Sequence, residues 1–231
     1  MDRSALRITS AHVLVEPSVL DESGPVVLDP ETDHHLRRVV RLRVGERVGL
    51  TDGEGRWRIA TVAAVDERLL LQPSTEIVAE PAGPTLTIAA AMPKGDRLDW
   101  LVQKVTELGA DRIVLLHADR SVVRWKVDRA DKQRARLQRI ADEACRQSRR
   151  TRRAVVEGPV EAAGVLAAYV VGEPGGRRLG ADDVDIAIGP EGGWSERELS
   201  VARDEIDLGS TILRTETAAV AAMALCVAFE R

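Results

Sequence analysis

The sequence predicts an α/β protein in two parts, and three observations carry that reading. Residues 37–78 read as short strands broken by glycine turns. Glu80-Pro81-Ala82-Gly83-Pro84 is a stiff linker that continues neither helix nor strand. After it, strands alternate with helices, the pattern of a layered α/β domain. The expected division is an N-terminal domain of residues 1–80 and a C-terminal domain of residues 84–231.

In the first part, Val48-Gly49-Leu50 leads into the turn Asp52-Gly53-Glu54-Gly55. Residues 57–62 then alternate apolar and polar, up to a break at Asp66-Glu67. Several short strands with such turns predict a small β-barrel. In the second part, residues 86–91 read as a strand. Asp96 caps a helix with Leu98, Leu101, Val102, Val105 and Leu108 on one face, stopped at Gly109. Residues 112–117 form the next strand, and residues 129–149 a long basic helix burying Leu137, Ile140, Ala141 and Ala144. Residues 154–157, 185–189 and 211–213 read as strands. Residues 195–206 read as a helix opened by a capping box of Ser195 and Glu198. The last helix, 216–229, is apolar nearly all round and is expected to be buried, in part against a second subunit.

Composition narrows the class. With one Phe and one Tyr in 231 residues, the core falls to Leu, Val, Ile and Ala. Cys145 and Cys226 make no disulfide framework and fit no metal spacing, so buried free thiols in a reducing compartment are expected. The apolar C-terminal run is about a dozen residues, too short to cross a bilayer, and there is no signal segment. A cytoplasmic protein with no membrane role is the expectation. The net charge of −4 hides an asymmetry: residues 124–153 hold twelve Lys or Arg against four acids, and the remainder stands at −12. That run ends in Arg149-Arg150-Thr151-Arg152-Arg153, denser than paired charges on a helix require. It reads as a footprint for a phosphate backbone.

The densest signal is Ile186-Ala187-Ile188-Gly189-Pro190-Glu191-Gly192-Gly193-Trp194-Ser195. An apolar run feeds a rigid turn, and a capping serine opens a helix. Bare backbone at a strand exit before a helix is where α/β proteins hold small ligands. A second loop follows about twenty residues on, Leu208-Gly209-Ser210-Thr211-Ile212-Leu213-Arg214-Thr215-Glu216-Thr217-Ala218.

Together these loops resemble those of the ribosomal RNA small subunit methyltransferase E family. Met92-Pro93-Lys94-Gly95 with Lys104-Val105-Thr106-Glu107-Leu108-Gly109, and Glu143-Ala144-Cys145-Arg146-Gln147-Ser148, extend the resemblance, as does His34-His35-Leu36 with Val40-Arg41. It covers the chain from about residue 30 onward, while residues 1–29 lack the family's aromatic-rich start. Arg146 stands where the family usually has an acid, and Ala154 where it often has proline. The resemblance implies a trefoil-knotted, SPOUT-type methyltransferase domain behind a PUA- or OB-like barrel. It also implies S-adenosylmethionine as methyl donor, no metal, and a homodimer. The activity implied is methylation of a uridine N3 in 16S ribosomal RNA of the small ribosomal subunit. A related knotted enzyme acting on transfer RNA or another base, and a non-catalytic RNA-binding assembly factor, are the alternatives.

Carried over by position, the donor-binding residues are His117, Ile188, Gly189, Pro190, Glu191, Gly192, Gly193, Leu208, Leu213, Thr215, Thr217 and Ala218. Arg214 is the expected cation for substrate activation, with Glu216 as base or structural partner; a surface Arg214–Glu216 pair is the plain alternative. Lys94, Arg146, Arg149, Arg150, His34 and His35 are expected RNA contacts. Arg146 and Arg150 would share a helix face as a phosphate clamp. His34 and His35 lack the further ligands of a metal site. Glu107, near a helix C-terminus, implies a specific partner in the basic helix.

Overall fold

In the computed structural model, residues 3–229 are described. They form two compact units: the chain up to Gly83 together with Cys145–Arg153, and Pro84–Ala144 together with Ala154–Arg231. The first unit thus recruits a short stretch from far along the chain, where two contiguous halves were expected.

The first unit contains α1 (Ser4–Arg7), β1 (Ala11–Leu14), α2 (Pro17–Leu20), β2 (Val26–Val27) and α3 (Pro30–His34). A π-helical turn (His35–Val40), β3 (Arg47–Thr51), β4 (Arg56–Val65), β5 (Leu69–Pro73) and β6 (Val78–Ala79) follow. The strands run in the order β1-β3-β4-β5-β2, with β6 added to β4. β1 and β3 are parallel and the remaining pairs antiparallel. Along β4, Trp57 and Ile59 are buried on one face with Leu6, while Ala60 and Val62 on the other face join the main cluster of Val13, Leu20, Val48, Leu50, Leu69 and Leu71. Asp29 starts α3 by accepting the N–H groups of Glu31 and Thr32, and Pro30 occupies the first helical position. The turn behind it ends at Arg41, whose φ of 62° is left-handed.

The recruited stretch is tied in through its backbone. Gly55 N–H donates to Thr151 O at 3.0 Å, and Arg153 N–H to Gly53 O at 2.8 Å. The Thr151 hydroxyl donates to Glu80 at 2.6 Å, and Arg152 donates to the carbonyls of Glu54 and Glu80. His12 Nε2 donates to Arg150 O at 2.8 Å, and its Nδ1 lies where a Cβ on Gly49 would stand, 2.6 Å away. Residue 49 therefore admits only glycine. Burial, above all, lowers the His12 pKa to about 4, opposed by the bond to Arg150 O and helped by Arg149 and Arg3. Folding thus requires neutral His12, which the unfolded chain protonates near pH 6.5. This contribution to stability is whole above about pH 6.5 and declines as pH falls toward 4. In an NMR titration of the folded chain, the His12 ring is expected to stay neutral at pH 5.5; a midpoint near 6.5 would contradict its burial.

The second unit is a parallel sheet in the order β12-β10-β11-β7-β8-β9. Its strands are β7 (Thr87–Ala91), β8 (Arg112–His117), β9 (Val155–Glu161), β10 (Val170–Arg178), β11 (Asp185–Ile188) and β12 (Asp204–Asp207). β7 is buried along its whole length, as a central parallel strand must be. α4 (Arg97–Leu108) buries Leu98, Leu101, Val102 and Val105, each worth about 1.5–3 kcal/mol of apolar burial. It ends at Gly109, whose φ is 121°. α5 (Val127–Gln147) and a single turn, α6 (Glu196–Leu199), complete the set with α7 (Thr215–Phe229), which lies against α4, β7 and β11. Both cysteines are buried and outside any disulfide. No helix among the described residues is long and apolar enough to cross a membrane.

Several expected elements differ. The capping box at Ser195 and Glu198 is present, but its helix stops after Leu199, and residues 204–207 are a strand instead. Residues 211–213 form a loop, and β10 had no counterpart in the sequence reading. Glu107 pairs with Lys104 of its own helix at 2.9 Å, which answers the misfit locally. α5 ends at Gln147, and Arg149 has a φ of 59°. Arg146 and Arg150 therefore do not share a helix face, and the expected clamp is not formed.

Candidate functional site

The order of the second sheet turns beside β7. The chain steps outward through β8 and β9, then returns to the other side for β10, β11 and β12. Connections leave the carboxyl ends of β7 and β11 in opposite senses, and such a switch point opens a crevice. A cavity of about 310 Å³ lies at the carboxyl ends of β11 and β12 and beside Gly172–Pro174 within β10. Its wall is built from Gly172 to Pro174, Ile188 to Trp194, Asp207 to Gly209, and Thr211 to Leu213, with Thr215 and Ala218 from the start of α7.

Trp194 forms the floor under these loops. It is 4% exposed and belongs to the core cluster of Ala89, Ala91, Val114, Leu116, Val171 and Ala187. Its indole N–H donates to Gly172 O at 3.2 Å. A Cβ on Gly189 would lie 3.0 Å from the same ring, so the glycine lets the backbone rest on the indole. The Thr215 hydroxyl donates to Gly189 O at 2.9 Å, tying the start of α7 to the exit of β11. Gly193 has a φ of 71°, and Arg120 donates to Gly192 O at 3.0 Å. Outside the cavity, Asp119 accepts from Ser195 and Arg197, and Arg197 is the main cause holding its carboxyl below the usual range.

The charged groups are arranged around Arg97. Its guanidinium lies 2.8 Å from Glu191 and 3.5 Å from Glu216. Burial pushes the Glu191 carboxyl up, but its own backbone N–H and Arg97 outweigh this and leave it below the usual range. Glu216 is buried, and its Oε2 has no hydrogen-bond partner among the described residues. Arg214 is exposed, and its guanidinium makes no hydrogen bond or ion pair among the described residues. The surface pair of Arg214 with Glu216 is absent; Arg97 takes its place.

Of the expected donor-binding residues, Ile188, Gly189, Pro190, Glu191, Gly192, Gly193, Leu208, Leu213, Thr215 and Ala218 line the cavity. His117 and Thr217 do not. His117 ends β8, where its Nε2 accepts the Trp125 N–H at 3.2 Å and Nδ1 faces Glu161 at 3.4 Å. Lys94, His34 and His35 are exposed, and Arg146 is half-buried at the end of α5. Arg149 donates to Thr9 O and Arg146 O, and Arg150 is 6% exposed with Nε donating to Arg152 O. The sequence reading missed Arg97 and the β10 segment of the wall. Two carboxylates converging from the loop after β11 and the first turn of α7 called for a shared cation, and Arg97 opens the helix beside them.

Among the described residues, no three His, Cys, Asp or Glu are grouped to hold a metal ion. The residues do fit an adenosyl donor. Ile188, Leu208, Leu213 and Ala218 give apolar walls, and the glycine backbone presents N–H and C=O groups unshielded by side chains.

Both parts of the chain resemble known proteins. Residues 80–227 match the RNA methyltransferase domain family, and residues 28–71 match the RNA methyltransferase PUA domain family. The fold is therefore that of an RNA methyltransferase domain with an N-terminal PUA domain. The ribosomal RNA small subunit methyltransferase E of Mycobacterium bovis is 32% identical, covering 88% of this chain and 87% of its own. That of Bacillus subtilis is 29% identical, over 88% and 90%. The chain belongs to the ribosomal RNA small subunit methyltransferase E family. A crystal structure of the Neisseria gonorrhoeae enzyme of that name, bound to S-adenosyl methionine, superposes with a TM-score of 0.77 at 29% identity, covering 93% of this chain and 94% of that one.

The packing of Gly189 on Trp194 gives a direct test. Gly189→Ala is expected to destabilise the chain by about 1–3 kcal/mol through overpacking. Denaturant unfolding followed by tryptophan fluorescence would show an unchanged midpoint if the contact were slack.

Proposed function

We propose that this protein transfers a methyl group from S-adenosylmethionine to N3 of a uridine in 16S ribosomal RNA of the small subunit. The observation that carries the reading is a glycine-walled cavity with an unpartnered cation, Arg214, between two of its lining residues, Leu213 and Thr215. S-adenosylmethionine supplies an electrophilic methyl group on a sulfonium. The loop backbones at 189–193 and 208–213 hold the donor, and the Trp194 floor keeps them in place. Uracil N3 carries a proton that must leave before or during attack, which puts negative charge on the flanking oxygens. Arg214 faces solvent with its donors free, in position to meet that charge. Ile212, 84% exposed beside it, offers an apolar surface to the base. Glu216 is held on Arg97 through Oε1 and keeps Oε2 available as a proton acceptor or an orienting group.

The trefoil knot and the N-terminal barrel belong to the same proposal. Support for the knot comes from the way the chain after β12 returns to the β11 exit, where Thr215 is bonded to Gly189. RNA contact is assigned to the PUA-type unit through exposed His34 and His35, and to Lys94 in the second unit. Arg146 and Arg149 are retained as secondary contacts, while Arg150, buried, has a structural role. A homodimer is supported by α7, whose outward face carries Ala224, Leu225, Ala228 and Phe229. Leu225 is 39% and Phe229 48% exposed, with Trp100 of α4 at 43%.

Small subunits from cells lacking this gene, incubated with labelled donor, are expected to acquire 3-methyluridine, identified by mass spectrometry. Label in another nucleoside, or none, overturns the reading. Arg214→Ala is expected to leave donor affinity within about twofold in calorimetry while lowering methyl transfer by about a hundredfold or more. Full activity in that variant would remove Arg214 from the mechanism. Leu225→Glu is expected to sediment as a monomer; an unchanged sedimentation coefficient places the interface elsewhere.

A further inference from the structure

β10 is interrupted where it reaches the cavity. Its pairing with β12 jumps from Gly172 opposite Ile206 to Arg177 opposite the same Ile206, so residues 173–176 leave the ladder as a bulge. The local sequence is specialised for this excursion. Pro174 has no N–H to give, Gly175 has a φ of 88°, and a Cβ on Gly176 would lie 2.6 Å from the Glu205 backbone. Asp207 secures the bulge from the next strand, accepting Gly175 N–H at 3.3 Å and Gly209 N–H at 2.8 Å. The outcome is that Glu173 joins the cavity wall.

Three acidic residues line that wall: Glu173, Glu191 and Asp207. Glu191 is held by Arg97, and Asp207 by the two backbone amides. Glu173 is half-buried and makes no hydrogen bond or ion pair among the described residues. Burial first, then the neighbouring charge of Glu205, pushes its carboxyl up, against the pull of Arg120. Arg120 already supplies positive charge nearby, so the carboxylate lacks hydrogen-bond donors more than a counter-ion. In nucleotide-binding α/β folds, an acid near a strand's carboxyl end accepts ribose hydroxyls.

We propose that Glu173 recognises the ribose of the adenosyl donor, its carboxylate oxygens accepting the two hydroxyls of the vicinal diol. The inference rests on the reading of the cavity as the donor site. It assigns a specificity residue to a loop that is otherwise backbone and apolar side chains.

Calorimetry on the full chain tests it with three probes: S-adenosylhomocysteine, 5′-methylthioadenosine, which lacks the amino-acid part, and 2′-deoxy-5′-methylthioadenosine. Glu173→Gln is expected to weaken the first two ligands by about tenfold or more, to a similar extent, at an unchanged melting temperature of the free protein. The 2′-deoxy ligand is expected to bind the wild type about tenfold more weakly than its parent and, keeping only its 3′-hydroxyl contact, to lose less than its parent on the substitution. Loss confined to S-adenosylhomocysteine would place the amino group on Glu173 and overturn the assignment. Equal binding of the deoxy ligand and its parent by the wild type overturns it without reference to any variant. A wild-type chain that binds neither adenosyl ligand overturns the reading of the cavity, and this assignment with it.

Discussion

The buried indole of Trp194 is the contact on which the site depends. One face of the problem is packing: the ring belongs to the apolar core of the second unit and is nearly inaccessible. The other is position, because the same ring bears the backbone at Gly189 and donates to the Gly172 carbonyl within β10. Core and cavity therefore share one side chain. Loops rich in glycine lose much conformational freedom on ordering, and here the ordering comes from below, through an aromatic already fixed by the sheet. The hydroxyl of Thr215 then fastens α7 to that platform.

Charge is distributed around this platform with a clear division of labour. Arg97 gathers two carboxylates, Glu191 from the loop after β11 and Glu216 from the first turn of α7, so neither competes for Arg214. Glu191 contributes the strongest single cause of the raised Arg97 pKa. Such pairs at partly exposed positions add little to stability once solvent screens them. Their value lies in geometry: they leave one guanidinium open beside the cavity and one carboxylate oxygen unclaimed.

Much of this was legible in the sequence, and the parts that were not share a physical reason. The strand at residues 112–117, the α4 face and its Gly109 stop, the capping box at Ser195 and the two glycine loops all announce themselves through local spacing. β10 does not, because Pro174, Gly175 and Gly176 read as a turn and hide a strand that resumes beyond its bulge. β12 was taken into a helix because the cap at Ser195 is real, while its early end is set by the pairing of residues 204–207 with β10. The arginines at 149–153 read as a phosphate footprint, and sequence does not show that Arg149, Arg150 and Arg152 also reach backbone carbonyls. Arg97 was invisible for the complementary reason: its two partners lie far along the chain, 94 and 119 residues away.

The stretch Cys145–Arg153 carries a consequence for how the protein is made. The N-terminal unit draws part of its hydrogen bonding from residues 151 and 153, so its β3–β4 turn lacks these partners while only its own sequence has been synthesised. The buried ring of His12 has no acceptor until Arg150 arrives. Domains usually fold in order of synthesis, but this one must wait for Pro84–Ala144 of its successor to emerge. Its maturation is timed by the ribosome's progress through α5, and truncation at the apparent linker would leave the β3–β4 turn and the His12 ring without these partners.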